Sequence, residues 1–328
     1  MNKVSYITTI GVLILSLILM VGCAKKPVTP ESVLDDPRVH YNRGMDLLNR
    51  NDLMGARSSF VRANDLDPKF APAYAGLALV DAMGGDFETA EDNYDEALDL
   101  DKECVACWIA KGRVIARKKD GDWMKDARKA FEKAIELAPN SSEAYYYLGV
   151  GYKEAHMFPQ SESAFATVIG FKDDWSARAA QQWDLVKKIV MAAPITEKGR
   201  EIALIEEIDR ADMAVLFMEE LKLAELLEKK RPKQYDTGFK APEDPTVYKG
   251  TVQVPEEPEA TDIIDHWAAS WLKEIIAIDG MEVFPDHTFR PDEKVTRADF
   301  AGFLQHIIVL KTGDTSILTR YIGETSHL

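Results

Sequence analysis

Along residues 37–190 apolar positions recur at helical spacing, in pairs of stretches separated by short polar turns. The pairs repeat in register. Gly44, Ala56, Phe60, Ala63 and Pro68 are answered 34 residues later by Ala78, Ala90, Tyr94 and Ala97, with Lys102 where proline would stand. A third set opens on schedule at Trp108 and Gly112, but its second half, Ala127, Phe131, Ala134 and Pro139, arrives three residues late. The extra residues fall in Lys118 to Asp122, a polar loop. Tyr145, Leu148, Gly149 and Tyr152, then Ser161, Phe165 and Val168, mark a fourth pair. Small residues at Gly44, Ala78, Gly112 and Gly149 let the two helices of a repeat approach closely, and aromatics fill the space between repeats. One helix pair cannot bury its apolar face alone, so about three or more must stack. The open end then needs a cap, which the spacing of Trp175, Ala179, Trp183 and Val186 predicts over 174–190, with Asp174 as N-cap.

The recurrence resembles tetratricopeptide repeats over residues 37–190. That resemblance implies a binding scaffold whose concave groove is lined mainly by first-helix positions. Here these are Tyr41, Met45, Leu79, Ile109, Arg113, Tyr146 and Lys153. The mixture suits an apolar peptide or helix with an acidic flank, read by Arg113 and Lys153, and so a protein partner from the cell envelope. Stacking against neighbouring repeats, or plain solvation, is the alternative role for each of them.

At the N-terminus a single charge, Lys3, precedes an apolar run from Ile10 to Val21. Twelve residues are short for a bilayer span and suit the core of a signal peptide. Leu19-Met20-Val21-Gly22-Cys23 resembles a lipobox, which implies that residues 1–22 are removed, that Cys23 is the lipid-attachment residue and that residues 23–36 tether the rest to a membrane. Ala24 after the cysteine implies an outer-membrane lipoprotein facing the periplasm in a two-membrane cell. The formal net charge of -15 argues against a general nucleic-acid binder, which needs an excess of Lys and Arg.

The second half has its own pattern. A charged helical stretch, 196–231, gives way to a Pro- and Glu-rich linker over 232–261, and then to a segment of about 45 residues within 262–310. There Asp265-His266-Trp267-Ala268 leads an amphipathic helix, Gly280-Met281 ends it, and FPDHTFRPDEKVTRADF follows from 284 to 300. This resembles the S-layer homology module, with His287 in place of Gly and Asp299 in place of Glu. Thr296 is placed to N-cap the last helix, with Asp299 at N3 reaching back and Arg297 at N1 free to project; Trp267 and Phe289 read as mostly core. The resemblance implies a bound acidic wall polysaccharide or peptidoglycan, met by Arg297 and by a candidate set that includes Asp299, Arg290, Trp267 and Arg210. Arg210 enters through a second trace, DRADMAVL at 209–216, which aligns with TRADFAGF at 296–303, 87 residues on. The family usually carries three copies. With a single complete one, and a tail over 311–328 too short for another, either chains form a homotrimer or the module serves as a structural dock.

Cys104 and Cys107 stand as Cys-x-x-Cys without the context of a haem, zinc or thioredoxin-like site, and read as two small residues opening a helix, bridged or free. The six histidines are scattered, and no phosphate-cradling, nucleophile-elbow or dinucleotide motif occurs, so neither cofactor nor metal is expected. The expected fold is mainly α, a tetratricopeptide-repeat solenoid followed by a small helical S-layer homology module. The expected role is a lipid-anchored, non-enzymatic envelope scaffold. The alternative is a repeat-bearing assembly or secretion factor for a pilus or outer-membrane complex, its terminal module purely structural.

Overall fold

The computed structural model describes residues 27–32, 34–228 and 260–316. Cys23, the signal-like run, nearly all of the linker and most of the tail lie outside the described residues. The chain divides into two compact units, residues up to Lys188 and residues from Ile189.

In the first unit eight helices pair in sequence: α1 (Pro37–Asn49) with α2 (Leu53–Leu66), α3 (Ala71–Gly84) with α4 (Phe87–Leu100), α5 (Val105–Lys118) with α6 (Trp123–Leu137), and α7 (Ser142–Glu154) with α8 (Phe158–Phe171). Each pair packs on the next, which is the stacked-repeat solenoid expected from the sequence. Local caps fix the helix starts. Asp52, Asp86 and Ser141 each accept a hydrogen bond from the backbone amide three residues on.

The repeating glycines act as expected. A methyl group on Gly44 would stand 2.5 Å from Phe60, on Gly112 2.6 Å from Phe131, and on Gly149 2.9 Å from Phe165. All three rings are fully buried, so any larger residue must push an aromatic out of a close-packed core. The buried Asp81 of α3 is paired both ways: it receives Arg57 of α2 from the preceding repeat and, at 2.7 Å, Asn93 of α4 from its own.

Three details depart from expectation or complete it. Trp175, not Asp174, is the residue immediately before α9 (Ser176–Ala192), and the Asp173 carboxylate accepts from the Trp175 amide at 3.0 Å in the turn that leads into the helix. Left-handed Lys172 ends α8 just before that turn, and α9 starts one residue later than the helical spacing suggests. Cys104 and Cys107 are bridged, both buried, at the start of α5, and Trp108 Nε1 donates to the Lys102 carbonyl at 2.9 Å. Covalent and indole links thus hold the one repeat boundary where proline is missing. Finally, the stretch before α1 is no free tether. The Val28 amide donates to the Asp65 carbonyl at 2.8 Å, and Asp35 is gripped by Arg62 and by His40 Nε2 at 2.8 Å. The hydrogen bonds from Arg62 hold the Asp35 carboxyl well below the usual carboxylate range.

The second unit contains α10 (Glu197–Ile202), α11 (Arg210–Glu219), α12 (Leu223–Glu228), α13 (Ala269–Ala277) and α14 (Arg297–Thr312). Its core gathers Met213, Phe217, Leu223, Leu272, Ile275, Met281 and Phe289. Gly280 is obligatory there, since a methyl would stand 2.8 Å from Ile275. Phe289 is buried as the sequence suggests, but Trp267 is 52% exposed. The core on that side is filled instead by Ala268 and Leu272, the next residues of the α13 segment to face inward.

Candidate functional site

In the first unit the first helices of repeats two to four, α3, α5 and α7, converge on a concave cleft of about 730 Å³. Its floor is apolar, with Leu79, Met83, Phe87, Phe131, Tyr147 and Val150, and its rim carries Arg113, Arg117, Lys119 and Glu154. Lys119 is paired with Glu154 at 3.0 Å, and Arg117 Nε donates to the Ala82 carbonyl at 2.9 Å. Arg113 is the cation left under-satisfied. Its Nη1 is buried without a hydrogen-bond partner, and its nearest carboxylate, Glu143, lies 3.9 Å away. The guanidinium rests on the Tyr147 ring at 4.1 Å.

Around it the groove is built of aromatics. Tyr146 packs on Trp175 with centroids 5.1 Å apart, Tyr147 on Trp175 at 5.7 Å, and Arg178 lies over Trp175 at 5.2 Å. Burial pushes the Glu143 carboxyl up against the opposing pull of Arg113 and Arg178. Burial, with the Glu143 charge, also pushes the Tyr41 phenol up, so α1 contributes to the same electrostatic neighbourhood as α5 and α7. A desolvated cation with a spare donor, on an apolar floor, is chemically a receptor for an acceptor group carried by an apolar chain.

Of the groove residues named from sequence, Leu79 and Arg113 line this cleft. Tyr41 and Tyr146 sit beside it, half-buried, Tyr41 against Phe60 and Phe70. Met45 is half-buried against the core of the first repeats, and Ile109 is 3% exposed and belongs to the packing between α5 and its neighbours. Ile109 is therefore a core residue rather than a groove residue: its turn of α5 faces α6 and α7. Lys153 donates to Gln182 at 2.6 Å, its ammonium pulled down by burial. Glu143, Tyr147, Trp175 and Arg178 were missed. For Tyr147 a signal existed: the repeat register places it where the first three repeats carry Asn42, Gly76 and Ala110, so a ring there enters space that the second and third repeats leave open.

In the second unit α14 begins as expected. Thr296 caps it, Asp299 closes the capping box, and Arg297 at N1 is exposed. Hydrogen bonds from the Thr296 hydroxyl and amide lower the Asp299 carboxyl. The shorter trace has the same construction: Asp209 caps α11 and Asp212 closes the box. The two helix starts meet, with Val295 N donating to Ile208 O and Arg210 N to Glu293 O, both at 3.0 Å.

Arg210 departs from expectation. It is 8% exposed, donates to the carbonyls of Phe289 at 2.8 Å and Glu282 at 3.1 Å, and lies against the rings of Phe284, Phe289 and Phe303. It is a structural strut, because its fork is spent on backbone carbonyls. Arg210 and Asp299 both border a cleft of about 440 Å³ with Phe284, Phe303 and His306, whereas Arg297 and Trp267 are not among its walls. Arg290 lies over Phe284 at 3.9 Å and pairs with Asp286 at 3.1 Å. Trp267 stands apart beside His266 and Trp271, with Lys198 5.8 Å above its ring. The wall-binding set named from sequence thus does not form one site.

No family model matches the chain. A curated relative, Protein CTR9 homolog of Arabidopsis thaliana, is 30% identical over 117 residues, 36% of this chain and 10% of that protein. The chain therefore spans about a tenth of the length of the curated relative it matches. Among solved structures, Pseudomonas aeruginosa pilF covers 59% of this chain and 89% of its own at 16% identity, with a TM-score of 0.36. The Cut9–Hcn1 hetero-tetramer of the APC/C covers 62% and 38% at 18% identity and a TM-score of 0.40. YrrB, described as a TPR protein with an unusual peptide-binding site, covers 60% and 94% at 22% identity and a TM-score of 0.31. The repeat architecture stands on the helix pairs themselves.

Proposed function

We propose that this chain is a lipid-anchored envelope scaffold, not an enzyme, and that its repeat cleft holds an apolar segment of a partner protein with a carboxylate on Arg113. The observation that carries the reading is the Arg113 guanidinium, seated in an apolar groove with a buried N–H that no acceptor meets. A partner carboxylate would satisfy that donor, and Leu79, Phe131 and Val150 would take the flanking apolar side chains. Acylation at Cys23 would hold the scaffold at a membrane, the outer one where there are two. In the second unit, the S-layer homology resemblance and the exposure of Arg297 at a helix N-terminus support a role for Arg297 toward an anionic wall polymer. The burial of Arg210 removes one cation from that surface.

The cleft is tested by titrating the chain with labelled Leu/Glu and Leu/Lys peptides. The Leu/Glu peptide should bind more tightly, and Arg113→Ala should weaken it about tenfold, or ~1.4 kcal/mol. Equal binding of both peptides would remove the carboxylate from the reading. Wall binding is tested separately by co-sedimentation with purified sacculi. Wild type should pellet and Arg297→Ala should stay in solution; a mutant that pellets equally ends the role given to Arg297.

A further inference from the structure

Arg113 and Glu143 form an incomplete ion pair. Glu143 stands in the first turn of α7, and its Oε1 lies 3.9 Å from Arg113 Nη1 on α5, about 1 Å beyond an N–H···O hydrogen bond. Both side chains are largely withdrawn from solvent, with 16% of Arg113 and 29% of Glu143 exposed. Two desolvated charges held this loosely carry the cost of leaving water without the hydrogen bond that would offset it. Such a pair is readily exchanged for a better one.

The surroundings fix which groups can take part. Tyr41 of α1 and Tyr147 of α7 both feel the Glu143 charge, and burial pushes both phenols up, so they stay neutral. Tyr146, on the same helix, is pushed up by burial as well. Arg178 of α9, laid over the Trp175 ring, is the second cation that acts on Glu143. In the turn before α9, Asp173 is engaged by the Ser142 hydroxyl and the Trp175 amide. Glu143 is left as the carboxylate that faces the Arg113 donor. A partner carboxylate bonded to Nη1 at about 2.9 Å would lie within about 7 Å of Glu143 Oε1. Two carboxylates sharing one guanidinium repel each other, so one must withdraw or take up a proton.

We propose, resting on the carboxylate reading of the cleft, that Glu143 is a resident competitor for Arg113, which a partner's acidic group must displace, and that it sets both the affinity and the pH response of the cleft toward acidic segments. The direction follows from its environment. Burial raises the Glu143 carboxyl, so as pH falls it takes up a proton before an ordinary, solvated carboxylate of the partner does. Over that interval Arg113 faces an ionised partner and a neutral Glu143, and binding tightens.

Titration of the full chain with the labelled Leu/Glu peptide tests this. Glu143→Gln should tighten binding at least about threefold at neutral pH. An unchanged or weaker affinity overturns the proposal. In the Arg113→Ala background the same substitution should change affinity less than about twofold, because the two residues act on one contact. Full tightening in that background would mean that Glu143 acts without Arg113, and overturns it too. Lowering the pH from about 7.5 to about 5.5 should tighten the wild type more than Glu143→Gln, and parallel pH curves for the two chains count against the proposal. The two readings fail differently. Equal binding of the Leu/Glu and Leu/Lys peptides by wild type removes the carboxylate from the cleft, and the competitor with it; a preference for Leu/Glu that Glu143→Gln leaves unchanged removes the competitor alone.

Discussion

Helices α11 and α14 start with the same three residues, Arg-Ala-Asp, and the same capping box, yet one is enclosed and the other lies on the surface. In α11 eight of ten residues are buried, whereas in α14 one of sixteen is. The difference lies in what packs around each helix. Arg210 is inserted under the 282–289 loop, which supplies two carbonyls and the rings of Phe284 and Phe289, while Arg297 meets no such loop. A short motif fixes how a helix begins. It leaves open whether the side chain at N1 becomes a strut or a free hand.

Substitutions can break this contrast. The largest effect is expected at Phe289→Ala, which empties the fully buried site beside Arg210 and should cost about 3–5 kcal/mol. Urea denaturation followed by Trp fluorescence reads it, and a loss under ~1 kcal/mol would mean that the loop is not what encloses α11. Next comes the arginine pair. Arg210→Ala strands the buried Phe289 carbonyl and frees the part-buried Glu282 carbonyl, and should cost roughly 1–3 kcal/mol, whereas Arg297→Ala should stay within about 0.5 kcal/mol. Equal costs would erase the distinction.

The smallest effect concerns the two box carboxylates and is one of sign. Burial raises Asp212, while hydrogen bonds from Thr296 lower Asp299. A lowered carboxyl stabilises the fold above its unfolded value, the ordinary aspartate range, and loses that contribution as pH falls through the folded value. A raised one disfavours the folded state once pH rises through its folded value. Asp299→Asn should therefore flatten the acid limb of a stability-versus-pH profile, while Asp212→Asn should improve stability at neutral pH relative to acid pH. Identical profiles for the two variants would contradict the assigned environments.

Much of the first unit was legible in the sequence because its packing rule is local and repeated. Each Gly44-type residue meets a ring of the same repeat, so the register of Phe60, Phe131 and Phe165 is enough to place the helices. The N-caps of α11 and α14 were readable for the same reason, spanning three residues each. The groove was only partly readable. Arg113 could be assigned to the concave face by register, but its lack of an acceptor depends on where Glu143 and Tyr147 stand, residues from another repeat. Arg210 was not readable because its burial is decided by a segment 79 residues away, the loop at Phe289 that takes its guanidinium, and Trp267 was not because the adjacent Ala268, with Leu272, fills the core instead.

The hydrogen bond from Val28 to Asp65 has a consequence for reach. Five residue steps separate Cys23 from Val28, and an extended chain advances at most about 3.5 Å per step. Any surface that holds residue 23 therefore holds the last turn of α2 on a leash of about 17 Å. The first repeat would then ride close against that surface instead of swinging at the end of a fourteen-residue cord, and the leash lengthens only when the Val28–Asp65 bond opens, with the Asp35–Arg62 clasp as the next hold.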